Sequence, residues 1–496
     1  MPVYNDSAYR RFAQRVGLSG IASATINLRN VILLPFLTKG LDIGTYGVWV
    51  QTLPMVELGT HLASMSMPVA ITRFCGEHAG KREAAVGLWS AMALCGGIGG
   101  AIALLAWMAL SSSTLLTSEH TGLFRIAAVL VPVSACERLL LAFFQARLQM
   151  LRHSTTVIFE TIAHVGLAIY LVQTGFGAEE ILLSMLAVRV IVLATAVLLV
   201  GRDISLAAPS TDRLRQYLSF GLPLALVAVL TWITGQSDRY VIGLFHGNVP
   251  VGGYAVAYTL GMICTLLFAP VFMILTPTLV ALWEAGDMDS LRGHLRHTLR
   301  YALAITIPAV VGLTVLARPL VSLISTPEYF IGHATTGLLA AGMLLWMLAA
   351  LSETLIGIMK KTGSIAVVYG AATLLNVVLN FALIPHFKAP GAAVATFASY
   401  LLMLWAMDRR ARGLGLGVPV DWVFILKCCV AASIMGFVAS LFDADTTLAL
   451  IVAVGVSGIV YFTIVVLLQA FTIGEYRFWR NLLLGRADGV QRSTDC

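Results

Sequence analysis

Four arginines stand inside runs of apolar residues: Arg29, Arg138, Arg189 and Arg239. An arginine near the centre of a lipid-spanning helix costs roughly 2.5 to 3.5 kcal/mol on insertion scales, so one that is retained faces water, a counter-ion or a ligand. Arg29, followed by Asn30, is the clearest case. Arg239 is its near counterpart, eight residues before Gly247 where Arg29 lies 11 before Gly40. With Arg189, central in its own run, these residues can form a cationic chamber for an anionic headgroup, because a guanidinium grips two phosphate oxygens at once. That chemistry is recognition, with no bond made or broken. Arg239 and Arg189 also admit a structural reading, for Arg239 a pair with Asp238. Arg138, beside Glu137 and nearer a helix end, reads as an interhelical ion pair.

The acids come next. Glu57 and His61 stand at i and i+4, on one helical face, where they can pair with each other or with Arg29. A carboxyl in that setting suits proton or cation coupling, with Asp238 as the competing candidate, and a plain counter-ion role fits either equally well. Glu160 and His164 repeat the spacing, but Glu160 is placed near the end of its run, within reach of water. Asn376 and Asn380 share the spacing too, and can bond across helices for about 0.6 to 2 kcal/mol per pair. The seven cysteines lack metal-ligand spacing and lie mostly in apolar runs, so neither a metal nor a disulfide framework is expected. The sequence has no phosphate loop ending in Gly-Lys-Ser/Thr and no nucleophile-base arrangement in a suitable context. Catalytic residues, a cofactor and a built-in ATPase are therefore not expected.

These groups must be positioned by helices in lipid. Of 496 residues, 58% are hydrophobic and 11% charged, and the mean hydropathy is +0.88. Soluble domains carry about a quarter charged residues, so the composition indicates an all-α polytopic membrane protein. The net charge of +7 sits at the ends of apolar runs, without a basic stripe interleaved with aromatics, and so reports topology rather than nucleic-acid binding. Residues 1–15 are polar and basic, and the run after them has no convincing cleavage site, so it is expected to remain as the first span.

Fourteen transmembrane helices are predicted. The first six cover 16–37, 46–71, 84–110, 121–144, 155–172 and 181–200, and the next six 217–245, 252–283, 301–316, 335–359, 363–384 and 391–407. The last two are 422–441 and 448–471, followed by an interfacial helix over 475–484 with Phe478 and Trp479 on the headgroups. Most of the 32 Lys and Arg fall on one side of this plan, while Lys39, Arg125, Arg318 and Lys388 fall on the other. By the positive-inside rule both termini are cytoplasmic.

The two groups of six read as a repeat. Gly40 and Gly247 are 207 residues apart, Met150 and Met359 are 209, and His164 and Asn376 are 212. An even number of spans per repeat keeps both halves in one orientation, so residues 1–206 and 207–412 are expected as two pseudo-symmetric six-helix lobes around a central cavity, with 413–496 as two added helices and a tail. Rocking such lobes gives alternating access.

Several segments resemble the polysaccharide transporter (Wzx-type) family of the multidrug/oligosaccharidyl-lipid/polysaccharide exporter superfamily. They are Leu28-Arg29-Asn30 through Gly40 to Tyr46-Gly47, Phe220-Gly221-Leu222-Pro223 leading to Ser237-Asp238-Arg239-Tyr240, the Gly253-Tyr254 turn, and Leu375 to Asn380 with Ile384-Pro385 and Gly391-Ala392-Ala393. The resemblance covers almost the whole chain. It implies a flippase that moves a polyprenyl-diphosphate-linked oligosaccharide from the cytoplasmic to the periplasmic leaflet of a bacterial inner membrane. It also implies a cationic cavity and coupling to a proton or sodium gradient. Arg29 and Arg239 match places where such proteins put cavity-lining or lobe-linking polar residues. Asn30 departs from the related lipid II flippases, which place an acid after the corresponding arginine, and so directs the expectation to an exopolysaccharide or O-antigen unit. A monomer is expected, with a polysaccharide polymerase or export machinery as possible company. A drug/cation antiporter of the same superfamily is the first alternative and predicts a more acidic cavity. A membrane glycosyltransferase or ligase is the second, and needs catalytic acids on a large outer loop, whereas the outer loops here run to about 20 residues at most.

Overall fold

The computed structural model describes residues 6–76, 79–112, 121–359, 361, 363–444, 446–471 and 475, and among them there is no strand. The helices are α1 (Asp6–Gly40), α2 (Ile43–Ser64), α3 (Met67–Phe74), α4 (Lys81–Ser112), α5 (Thr121–Ala146), α6 (Met150–Gln173) and α7 (Ala178–Asp203). They continue as α8 (Thr211–His246), α9 (Asn248–Glu284), α10 (Met288–Val315), α11 (Ala317–Ile324), α12 (His333–Ile358), α13 (Gly363–Gly413), α14 (Trp422–Ser440) and α15 (Thr447–Leu467). The protein is a multi-pass membrane protein.

Among the described residues 11 helices are long and apolar enough to cross a membrane, fewer than the 14 spans expected. The difference has physical causes. α13 carries two of the expected spans in one long helix, which Lys388 (φ 54, ψ −136), between Pro385 and Pro390, kinks partway along. α1 and α2 fall outside the set, and both are interrupted by polar groups, Arg29 and Asn30 in one and Gln51, Glu57 and His61 in the other. The second expected span also breaks: Met65 and Ser66 are consecutive left-handed residues (φ 45 and 55) that separate α2 from α3. The expected interfacial helix at 475–484 lies outside the described residues except for Glu475.

Helix pairing in the first half recurs in the second. α1 packs on α6, α2 on α5 and α4 on α5; correspondingly α8 packs on α13, α9 on α12 and α10 on α12. Small residues permit the close crossings. A Cβ on Gly59 of α2 would sit 2.8 Å from Val131 of α5, and one on Gly261 of α9 would sit 3.2 Å from the backbone of Ala340 in α12. The halves meet where α2 packs on α8 and α9, α3 and α4 on α8, and α1 on α9. α14 covers α10, with α15 against it.

Short polar caps start several helices. Asp42 Oδ1 accepts from the backbone N of Gly44 (2.9 Å) and Thr45 (3.0 Å) to begin α2, and Asp287 Oδ1 accepts from Ser290 N (3.0 Å) to begin α10. Hydrogen bonds from Thr45, chiefly its side chain, hold the Asp42 carboxyl below the usual carboxylate range, and Ser290 does the same for Asp287.

Candidate functional site

Three helices each present one stripe to the same space. On α1 the stripe is Ile26, Arg29, Asn30, Leu33, Leu34 and Leu37; on α2 it runs from Tyr46 through Trp49, Leu53 and Glu57 to Thr60; on α9 it is Ala255, Tyr258, Thr259 and Met262. Steps of three and four residues are what one face of an α-helix exposes. The stripes enclose a cavity of about 670 Å³ that is closed around by Arg138 of α5, His164 of α6, Arg189 of α7, Gln236 and Arg239 of α8, and Trp346 of α12.

Four guanidinium groups thus line one cavity, and their partners differ. Arg138 Nη2 lies 3.8 Å from Glu57 Oε1, and His61 Nε2 lies 3.9 Å from the same oxygen. Arg189 donates through Nη1 to Ser134 Oγ, while its Nε lies 3.4 Å from Glu160 Oε1 and 4.0 Å from Glu137 Oε2. Arg239 donates through Nη1 to Gln236 Oε1 at 2.5 Å, one turn back on α8, and its guanidinium lies 4.9 Å over the Tyr258 ring. Arg29 has no hydrogen bond or ion pair among the described residues, although the charges of Arg189, Glu160 and Glu57 reach it. Among the described residues it is the cavity arginine with neither kind of partner.

The expected site residues separate into two places. Arg29, Asn30, Arg189, Arg239 and Glu57 line this cavity; His61 does not, and serves as a neighbour of Glu57. Asp238, Asn376 and Asn380 are buried away from it. Asp238 accepts from Tyr254 Oη, from Thr396 Oγ1 (3.4 Å) and from the Arg239 backbone N (2.8 Å), so the pairing of the two side chains admitted from sequence is replaced by Arg239 with Gln236. Asn380 Nδ2 donates to Asn376 Oδ1 at 2.9 Å, and Ser237 Oγ donates to the same oxygen at 3.1 Å, tying α13 to α8. Glu160 differs from its expected water-accessible setting, since its side chain is 15% exposed and paired with Arg189. Arg138, expected only as an interhelical pair, makes one with Glu57 and also lines the cavity. Sequence reasoning noted His164 only as the i+4 neighbour of Glu160 and left it out of the site, and it missed Gln236 and Tyr258. The signal for Gln236 was the i−3 step from Arg239.

A family model described as polysaccharide biosynthesis protein matches residues 43–330. Among curated relatives, the probable low-salt glycan biosynthesis flippase of Haloferax volcanii is 23% identical over 317 residues, covering 63% of this chain and 66% of the relative. An uncharacterized membrane protein of Methanocaldococcus jannaschii is 23% identical over 264 residues, covering 52% of this chain and 51% of the relative. The chain therefore spans just under two thirds and about half of the lengths of these two relatives. Among solved structures, the lipid II flippase MurJ in an inward closed conformation superposes with a TM-score of 0.68 at 15% identity, over 95% of this chain and 100% of that one. An inward-facing multidrug resistance MATE family transporter gives 0.64 at 15% identity, over 79% and 99%. The fold is that of these transporters.

Proposed function

This chain belongs to the polysaccharide biosynthesis protein family, whose model matches more than half of its length, and from that premise we propose that it is a flippase for a polyprenyl-diphosphate-linked oligosaccharide. It is a transporter rather than an enzyme. The oligosaccharide is an exopolysaccharide or O-antigen repeat unit, carried from the cytoplasmic to the periplasmic leaflet of the inner membrane with both termini cytoplasmic.

The observation that carries this reading is the lining of one cavity, inside a bundle of lipid-spanning helices, by four guanidinium groups, with Arg29 unengaged among the described residues. A diphosphate diester is a double anion, and a guanidinium outside water holds such a group through paired, charge-assisted hydrogen bonds. Glu57 serves as the counter-ion of Arg138, with His61 beside it, and an arriving phosphate competes with Glu57 for Arg138. Trp49, Tyr258 and Trp346 are among the lining residues, and a volume of about 670 Å³ lies within the roughly 300 to 1,000 Å³ typical of ligand sites. The polyprenyl tail stays in lipid while the polar part crosses inside. Residues 1–206 and 207–412 rock as two lobes, and an ion gradient supplies the drive. The Haloferax volcanii relative bears a flippase name, which supports the same reading.

The test is made in cells. A strain lacking the gene should accumulate the lipid-linked glycan on the cytoplasmic face and lose surface glycan, and the wild-type gene should restore export. Arg29→Ala should fail to restore it at normal protein abundance, with Arg29→Lys restoring part. Full export by the Ala variant would remove Arg29 from the site, and no accumulation in the deletion strain would remove the flippase reading.

A further inference from the structure

Arg189 faces two carboxylates where one would balance it. Glu160 approaches from α6 and Glu137 from α5, with oxygens 3.4 Å and 4.0 Å from Arg189 Nε. Glu137 is 3% exposed, and its Oε1 is buried without a hydrogen-bond partner among the described residues. The two carboxyl groups also interact with each other. Two carboxylates and one guanidinium carry a net charge of minus one, held away from bulk water. Facing carboxylates in that situation share one proton, because both cannot be ionised at close range. A proton placed between them turns two repelling acceptors into an O–H···O hydrogen bond, which supplies the partner that Glu137 Oε1 lacks.

We propose that Glu137 and Glu160 form a proton-binding pair whose occupancy governs how much of the Arg189 donor fork is free for an anionic headgroup in the cavity. The second clause rests on the flippase reading; the first does not. With the pair empty, two carboxylates hold the guanidinium. With one proton bound, a single carboxylate remains, and Arg189, already on the cavity wall, can direct N–H groups to a phosphate. The proton moves from cavity water to a carboxylate oxygen, and no other bond is made or broken. By linkage, binding of the anion draws the proton in, and the proton strengthens binding of the anion.

Other charges tune the pair. Arg138 adjoins Glu137 on α5 and carries its own partner Glu57 from α2; the charges of Arg29 on α1 and of Arg189 both act at His164, one turn from Glu160 on α6. These cations favour the ionised pair and Glu57 opposes them. None of them supplies a hydrogen-bond partner to Glu137 Oε1.

The first measurement needs no ligand. Infrared spectra of the full chain in lipid vesicles at neutral pH, wild type minus Glu137→Gln, should show loss of one protonated-carboxyl stretch. Glu160→Gln should lose the same band, which guards against a variant that does not fold. If both variants fold and neither loses a band, the proton pair is overturned, whatever the protein transports. The second measurement uses farnesyl diphosphate as the probe, with calorimetry in two buffers of different ionisation enthalpy. At a pH alkaline enough to remove the infrared band, wild type should take up more protons per probe bound than Glu137→Gln, and its affinity should fall more steeply as pH rises through that range. Equal proton uptake would overturn the link to Arg189. Absence of probe binding to wild type, with the infrared band present, would overturn the headgroup clause and the flippase reading while the proton pair stands.

Discussion

The side-chain amide of Gln51 donates to Asn248 Oδ1 at 3.0 Å, joining α2 to the first residue of α9. Two more bonds extend this seam: Tyr240 Oη donates to the Gln51 carbonyl at 2.7 Å, and Trp232 Nε1 donates to the Pro54 carbonyl at 2.9 Å. A transporter that alternates access must break one such seam in each cycle. Cysteines at both positions, Gln51→Cys with Asn248→Cys, should cross-link on mild oxidation and arrest transport. Reduction should restore it, and either single substitution should be insensitive to oxidant. Cross-linked protein that transports at the wild-type rate would show that the seam does not open.

Arg189 and Arg138 should respond differently to truncation. Arg189→Ala leaves Glu137 and Glu160 facing each other without their cation, and loss of one partner from a buried pair costs about 3 to 5 kcal/mol. Thermal unfolding in detergent should show a loss of that order, smaller in acid, and Glu137→Gln in the same chain should recover much of it. Arg138 and Glu57 have side chains 38% and 44% exposed, so solvent screens them, and Arg138→Ala should cost about 1 kcal/mol or less. Equal losses for the two variants would mean that the Arg189 cluster is as well hydrated as the Arg138 pair.

What the sequence disclosed and what it hid have the same origin. Hydropathy and isolated charge are properties of one segment, so the helices and the cavity placement of Arg29, Asn30, Arg189 and Arg239 could be read from it. Partner choice across helices is not such a property. Arg138 sits beside Glu137 in sequence yet pairs with Glu57 on α2, while Glu137 turns to Arg189 on α7, because neighbours on a helix point about 100° apart. Thr60 lines the cavity and the adjacent His61 does not, for the same reason. The break at Met65 and Ser66 went unread because neither residue is the glycine that usually marks a left-handed turn. Lys388, also at positive φ, is flanked by Pro385 and Pro390, and the two prolines were the sequence signal for the kink it makes inside α13.

The cap on α2 makes a pH-dependent prediction. Hydrogen bonds lower the Asp42 carboxyl in the folded protein, so its stabilisation is fully present above the unfolded carboxyl value of about 3.9 and is lost as pH falls through the lower, folded value. Asp42→Ala should cost about 1 kcal/mol near neutral pH, the usual worth of such a cap. Melting curves of the two proteins should converge as the solution is acidified below about pH 4. A difference that stays constant into acid would mean that the ionised carboxyl is not what caps the helix.

The most direct test of the central claim is translocation in purified vesicles. The full chain is reconstituted with a fluorescent polyprenyl-diphosphate oligosaccharide, an ion gradient is imposed, and the label reaching the outer leaflet is quenched or enzymatically modified. Wild type should move the lipid across, Arg29→Ala should move it at a small fraction of that rate with unchanged melting temperature, and Arg29→Lys should fall between. Equal translocation by wild type, by Arg29→Ala and by protein-free vesicles would contradict the account.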